Sequence, residues 1–317
     1  MVTTQLIETA ATLLRTNLAA KPGESFLVVA DEPKREIGQA FFEAGREMGL
    51  EAGFVEMLPR EQHGQEPPEY VSAAMAAADL VICPTSTSLT HTRGRETAVA
   101  QGTRVATMPG ITKEMFDSGA ITADYTEVER LTERMTEKLT AAETARIESH
   151  GEQLSLSISG RDGIASDGIF REAGASGNLP SGEGYVAPVE GSAEGTLVVD
   201  GGIVGVGVVE DPLSIDIEDG SIVSMHGDHA DTFRETIGDD ACAKRVCELG
   251  IGTNPTAEIV GTVLEDEKVY GTCHVAFGDN AGFGGTIECD SHVDGIVREP
   301  DVYLDQECVV NGGELQL

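Results

Sequence analysis

The sequence predicts an α/β chain in two parts. A Rossmann-like parallel-sheet domain covers residues 1–150, and a β-rich α+β domain covers residues 151–317. Two observations carry this reading. Through residue 120, short apolar runs of the buried-strand type alternate with amphipathic helix patterns, as in a parallel sheet covered on both faces. Beyond residue 150, glycine becomes frequent and β-branched runs replace the helical period.

The elements follow in order. Leu6, Ala10, Leu13, Leu14 and Leu18 share one helical face, and Lys21-Pro22-Gly23-Glu24 stops that helix. Phe26–Ala30 is a continuous apolar run, expected of a strand buried on both faces. A helix pattern over Arg35–Met48 precedes a strand at Ala52–Met57. Ala73–Ala78 reads as helix, Asp79–Cys83 as strand, Arg93–Gln101 as helix and Arg104–Met108 as strand. Thr126–His150 reads as one long charged helix. Strand patterns then recur at Thr196–Val199, Ile203–Val209, Asp211–Ile217, Ile222–Met225, Lys268–Tyr270, His274–Phe277 and Val302–Val310. Helices are expected at Ala230–Ile237 and Ala241–Leu249. The turn after the first strand, Ala30-Asp31-Glu32-Pro33-Lys34, has no glycine-rich phosphate loop, and its two acids would repel a pyrophosphate.

Fifty-five acidic residues face twenty-one basic ones, a formal net charge of −34. Residues 1–150 carry −9 of this and the remainder −25. Such a surface excludes nucleic acid as a default partner, because phosphate binding needs a basic footprint, and it disfavours anionic membranes. It reads as adaptation to a salt-rich cytoplasm, where at about 1 M salt the Debye length is roughly 3 Å and like charges hardly repel. No apolar run reaches the roughly 20 residues of a membrane span. The amphipathic N-terminus contains Glu8, unlike a secretory signal. The six cysteines form no C-x-x-C pair, so reduced, buried thiols are expected.

Five residues in polar, glycine-rich contexts could ligate metal: Glu183, Glu248, His274, His292 and Asp294. His292 and Asp294 form an H-x-D pair that a strand would direct to one face, since the strand period is two. Two imidazoles with three carboxylates suit one or two borderline divalent ions. His226 and His229 also look ligand-like, but they precede a helix pattern and read as its polar cap.

The segments NLPSGEGYVAPVEGSAEG, CELGIGTNP, GTCHVAFGDN and SHVDGIV, in that order, resemble the aminopeptidase T family of metallopeptidases. The likeness spans nearly the whole chain. It implies that Glu183, Glu248, His274, His292 and Asp294 hold two divalent ions, Zn, Co or Mn. It also implies a homodimer that removes N-terminal residues from peptides. Glu183 or Glu248 would bridge the ions or act as base, and both are candidate catalytic residues. Ions of this kind lower the pKa of a water from 15.7 to about 7. Two features depart from that family. The chain is shorter, and Ala281 stands where those enzymes carry an active-site tyrosine; one lost oxyanion donor costs about 10²–10³ in rate.

SAEGTLVVD, SHVD and DVYLD are also similar to the 2,5-dihydroxypyridine 5,6-dioxygenases, whose length is closer to this chain's. That likeness implies one Fe(II) held by two histidines and a carboxylate. The first of those histidines falls at Glu248, and that group lacks counterparts of Glu183 and His274. The five-donor pattern therefore favours the hydrolytic centre. A non-catalytic, metal-stabilised binding protein is the third reading, but structural metal sites usually close with four ligands.

Overall fold

The computed structural model describes residues 2–317. Its first compact unit runs to Tyr125 and includes Gly168–Ser181; the second comprises Thr126–Asp167 and Gly182–Leu317. The sequence reading put a single boundary at residue 150. The units divide earlier because the helix after Tyr125 packs Met135 and Leu139 into the second unit's core, and the chain later re-enters the first unit to add one more strand.

The first unit alternates as expected: α1 (Thr4–Thr16), β1 (Ser25–Asp31), α2 (Arg35–Glu47), β2 (Glu51–Met57), α3 (Glu69–Ala76), β3 (Leu80–Thr85), α4 (Arg93–Ala100), β4 (Arg104–Pro109) and α5 (Lys113–Asp117). The Thr3 hydroxyl caps α1 by accepting from Leu6 N–H at 3.3 Å, and Leu6, Ala10, Leu13 and Leu14 are buried. The strands are parallel in the order β2-β1-β3-β4. Val28, Val29, Val81, Ile82, Val105 and Ala106 are fully buried, which explains the unbroken apolar runs. At the end of β1, buried Asp31 accepts the Ser86 N–H at 2.7 Å, an arrangement suited to a loop and not to a phosphate.

The chain continues through α6 (Tyr125–Ala141), β5 (Thr144–Ser149), β6 (Glu152–Ser157) and β7 (Ile164–Ser166) before returning with β8 (Ser176–Asn178), parallel to β4. The helix expected over Thr126–His150 thus stops at Ala141. From Thr144 the pattern has period two, with Ala145 and Ile147 buried between polar neighbours, and a His150-Gly151 turn joins β5 to β6.

The rest of the second unit is β9 (Glu183–Val186), β10 (Glu194–Val199), β11 (Gly202–Ile203), β12 (Gly207–Val208), β13 (Leu213–Glu218), β14 (Ser221–His226), α7 (Ala230–Ile237), β15 (Val246–Gly252), α8 (Val263–Asp266), β16 (Cys273–Gly278), β17 (His292–Val297), β18 (Asp301–Leu304), β19 (Glu307–Asn311) and β20 (Glu314–Leu315). They build an eight-stranded sheet, β14-β13-β10-β6-β5-β18-β19-β20, and a seven-stranded one, β12-β11-β17-β16-β15-β9-β7. Both sheets contribute to one core. Leu154, Leu197, Ile215 and Val310 come from the first sheet, and Leu249, Val275, Phe277 and Val297 from the second. Two sheets packed face to face in this way form a sandwich.

Two expectations fail here. Ala241–Leu249 is not a helix: a short turn at Cys242–Lys244 leads into β15, whose seven residues are all buried. Lys268–Tyr270 is a turn touching Asn254 through one isolated bridge, not a strand. The thiol expectation also changes. Cys242 and Cys289 form a disulfide with Cα atoms 5.8 Å apart, while Cys83, Cys247, Cys273 and Cys308 are free. The pair lies 47 residues apart in sequence, so no spacing announces it. No helix among the described residues is long and apolar enough to cross a membrane.

Candidate metal centre

The site is one face of the antiparallel strands β9, β15, β16 and β17. Directly paired residues on neighbouring strands point to the same side, and alternate residues share a face. Glu183 pairs with Gly252, and Tyr185 with Gly250. Gly250 in turn pairs with His274, and Glu248 with Ala276. Ala276 pairs with Asp294, and Gly278 with His292. All five candidate ligands therefore lie on one face. The opposite face carries Val186, Leu249, Ile251, Val275, Phe277, Val293 and Val297 into the core. Small residues separate the donors. A Cβ at Gly250 would overlap the His274 imidazole, so this glycine is what lets the ring lie across β15. A register shift between Val246 and Glu248 sets the aim of Glu248.

Side-chain geometry gathers the five residues. His274 Nε2 lies 3.2 Å from Glu248 Oε1 and 3.4 Å from Glu183 Oε2. His292 Nε2 lies 3.5 Å from Glu248 Oε2 and 3.6 Å from Asp294 Oδ1. Glu248 thus turns one oxygen to each histidine. Donor atoms within 4.8 Å of one another form three groups: Glu183–Glu248–His274, Glu248–His292–Asp294 and Glu267–His274–Asp294. Each group contains one histidine. His274 is fully buried and His292 is 34% exposed, so the cluster meets solvent on the His292 side. His292 Nδ1 lies 3.0 Å from the Asp279 carbonyl; donation there leaves Nε2 facing the carboxylates, as a ligand histidine requires.

Sequence reasoning missed Lys268 and Glu267. Lys268 is 1% exposed, and its Nζ lies 2.5 Å from Glu183 Oε1 while also pairing with Glu267 Oε1. The available signal was one of the chain's six lysines placed directly after three acids, but reading 268–270 as a strand hid it. Tyr185 was also missed. It sits two residues beyond Glu183 on the same face, and its ring meets Phe283 edge-on with centroids 5.5 Å apart. Phe283 in turn meets the His292 ring at 6.1 Å. Ala281 is exposed, at the start of the short turn that ends at Phe283. His226 and His229 lie elsewhere. His226 is exposed beside Asp216, and His229 precedes α7 without a side-chain cap bond.

The electrostatics call for cations. Burial alone would lower His274, but the Glu248 hydrogen bond and the charges of Glu183, Glu248 and Asp294 raise it to about 9. Burial likewise opposes protonation of His292, yet the Asp294 charge beside it holds it well above its usual value. Burial raises Glu267 to about 8 despite Lys268 beside it. Glu183 Oε2 and Asp294 Oδ1 are buried without a hydrogen-bond partner. Buried carboxylate oxygens left in this state are costly unless a cation meets them. The residues present therefore fit divalent metal.

The comparisons with known proteins agree with a metal-dependent enzyme. The family model described as NicX, 2,5-dihydroxypyridine 5,6-dioxygenase, matches residues 6–317. A 2,5-dihydroxypyridine 5,6-dioxygenase of Pseudomonas putida KT2440 is 26% identical over 268 residues, covering 76% of this chain and 72% of that protein. The solved structure of 2,5-dihydroxypyridine dioxygenase from the same organism superposes with a TM-score of 0.82 at 22% identity, covering 98% of this chain and 96% of that one. Wild-type AmpT from Thermus thermophilus superposes with a TM-score of 0.69 at 16% identity, covering 99% of both chains. The fold is thus shared with AmpT. The resemblance to the aminopeptidase T family extends to that fold, whereas the family match is to the dioxygenases, the group the sequence reading ranked second. The chain belongs to the 2,5-dihydroxypyridine 5,6-dioxygenase family.

Proposed function

We propose that the chain is a two-metal hydrolase that removes N-terminal residues from peptides, a hydrolytic member of a family named for oxygenases. The division of Glu248 between His274 and His292, 3.2 Å from one oxygen and 3.5 Å from the other, carries this reading. A carboxylate so placed can bridge ions about 3.5–4 Å apart. Of the two glutamates that could bridge, Glu248 has the geometry. Glu183 and His274 complete one half of the cluster, and His292 and Asp294 the other.

Bound divalent ions supply an acidified water and polarise the scissile carbonyl. The protein's own groups do the rest. Lys268 holds one oxygen of Glu183, and Glu248 engages both histidines, so neither is free to carry a proton. With Ala281 unable to donate, the Tyr185 hydroxyl is the phenol available on the donor face.

Family membership favours a second reading, a mononuclear Fe(II) ring-cleaving dioxygenase. Against it, each donor group holds one histidine where a facial triad needs two. A matched assay separates the readings. Protein prepared in molar KCl and loaded with Zn, Mn or Co is expected to cleave aminoacyl anilides with no need for oxygen. Oxygen uptake with 2,5-dihydroxypyridine by the Fe(II)-loaded protein, without anilide cleavage, would overturn the hydrolase.

A further inference from the structure

We infer that Lys268 makes the two halves of the cluster unequal, so that one ion binds tightly at Glu248–His292–Asp294 and a second binds weakly at Glu183–Glu248–His274. The inference rests on the reading that these residues bind metal, and it does not depend on whether the chemistry is hydrolytic.

A lysine ammonium donates hydrogen bonds and cannot ligate. Here it is fully enclosed and fixed at 2.5 Å from Glu183 Oε1, which leaves Glu183 only Oε2 for an ion. Lys268 also pairs with Glu267 and so occupies a second acid beside His274. The Glu183 half thus contains a built-in cation that neutralises part of its charge and repels an incoming one. The other half has no lysine in direct contact, and Lys268 acts on Asp294 only from farther off. Among the described residues no lysine or arginine forms an ion pair with Glu248 or Asp294, and Asp294 Oδ1 is buried without a hydrogen-bond partner. That half also lies next to the partly exposed His292, where an ion arrives from solvent. At short range in a buried site one fixed charge changes ion affinity by an order of magnitude or more.

The test is a Co(II) titration of the metal-free full-length chain, followed by visible absorption and calorimetry. The wild type is expected to bind in two steps separated by at least about tenfold. Glu183→Gln should abolish the weaker step and leave the tighter one. Lys268→Met should tighten the weaker step by about tenfold or more and bring the two together, whereas Lys268→Arg should keep them apart. If Lys268→Met does not fold, Glu183→Gln alone decides which half is weak. A single tight ion in the wild type, joined by a second in Lys268→Met, would support the inference in its extreme form. Loss of the tighter step in Glu183→Gln, or an unchanged separation in Lys268→Met, would overturn it. No Co(II) binding at all would overturn the metal reading itself.

Discussion

Glu248 shows how much of the site lies at the scale of single residues. Its likeness to a family ligand could be recognised in the sequence, but its place between His274 and His292 could not, because that depends on which oxygen faces which imidazole. Lys268 shows the opposite case. A lone lysine in an acidic segment normally reads as a solvated surface charge, and only the fold encloses it. The titrating residues also set a pH dependence. The folded value of His274 is raised from 6.5 to about 9, so its contribution to stability is complete below 6.5 and is lost as pH rises through about 9. Glu267, raised from 4.5 to about 8, acts with the same sign, because the folded chain keeps a proton that the unfolded chain releases. The metal-free protein should therefore lose thermal stability from about pH 4.5, where Glu267 begins to contribute, to about pH 9, while its affinity for added Zn(II) rises over the same interval as ions displace those protons. Melting curves and metal titrations at several pH values check both, and a metal-free melting temperature that rises with pH would contradict the assignment.

At the scale of elements, strand alternation decides which side chains reach the site. The H-x-D pair was legible because strand period alone puts His292 and Asp294 on one face, and β17 does so. The alternating pattern of the first unit was legible for a similar reason, since fully buried strands are written as apolar runs. β15 was not legible. Its start follows a short turn whose spacing imitates a helix, and only pairing with β9 and β16 makes it a strand. Gly250 tests this layer of the account. Gly250→Ala adds a methyl where the His274 ring lies, so it should destabilise the fold by about 1–3 kcal/mol. It should also weaken metal binding by about 10–100-fold, the usual cost of disturbing what orients a ligand. Denaturant melts and metal content measure the two effects, and a variant with full metal content and unchanged affinity would show that His274 is not held across this glycine.

At the scale of the whole molecule, the charge of −34 and the metal centre have different causes. The general acidity is a matter of surface and solvent, and the sequence made its excess in the second half plain. The acids of the centre are distinguished by burial: Glu183, Glu248 and Asp294 are each less than 8% exposed, which ordinary surface carboxylates are not. Composition cannot make that distinction, and the seven-stranded sheet does. The central claim is that one face of that sheet holds a pair of ions bridged by Glu248. Electron paramagnetic resonance of the Mn(II)-loaded chain in molar KCl tests it most directly. At about two ions per chain the account predicts an exchange-coupled spectrum that reverts to that of isolated Mn(II) in Glu248→Ala. An uncoupled Mn(II) spectrum from the fully loaded wild type would contradict it.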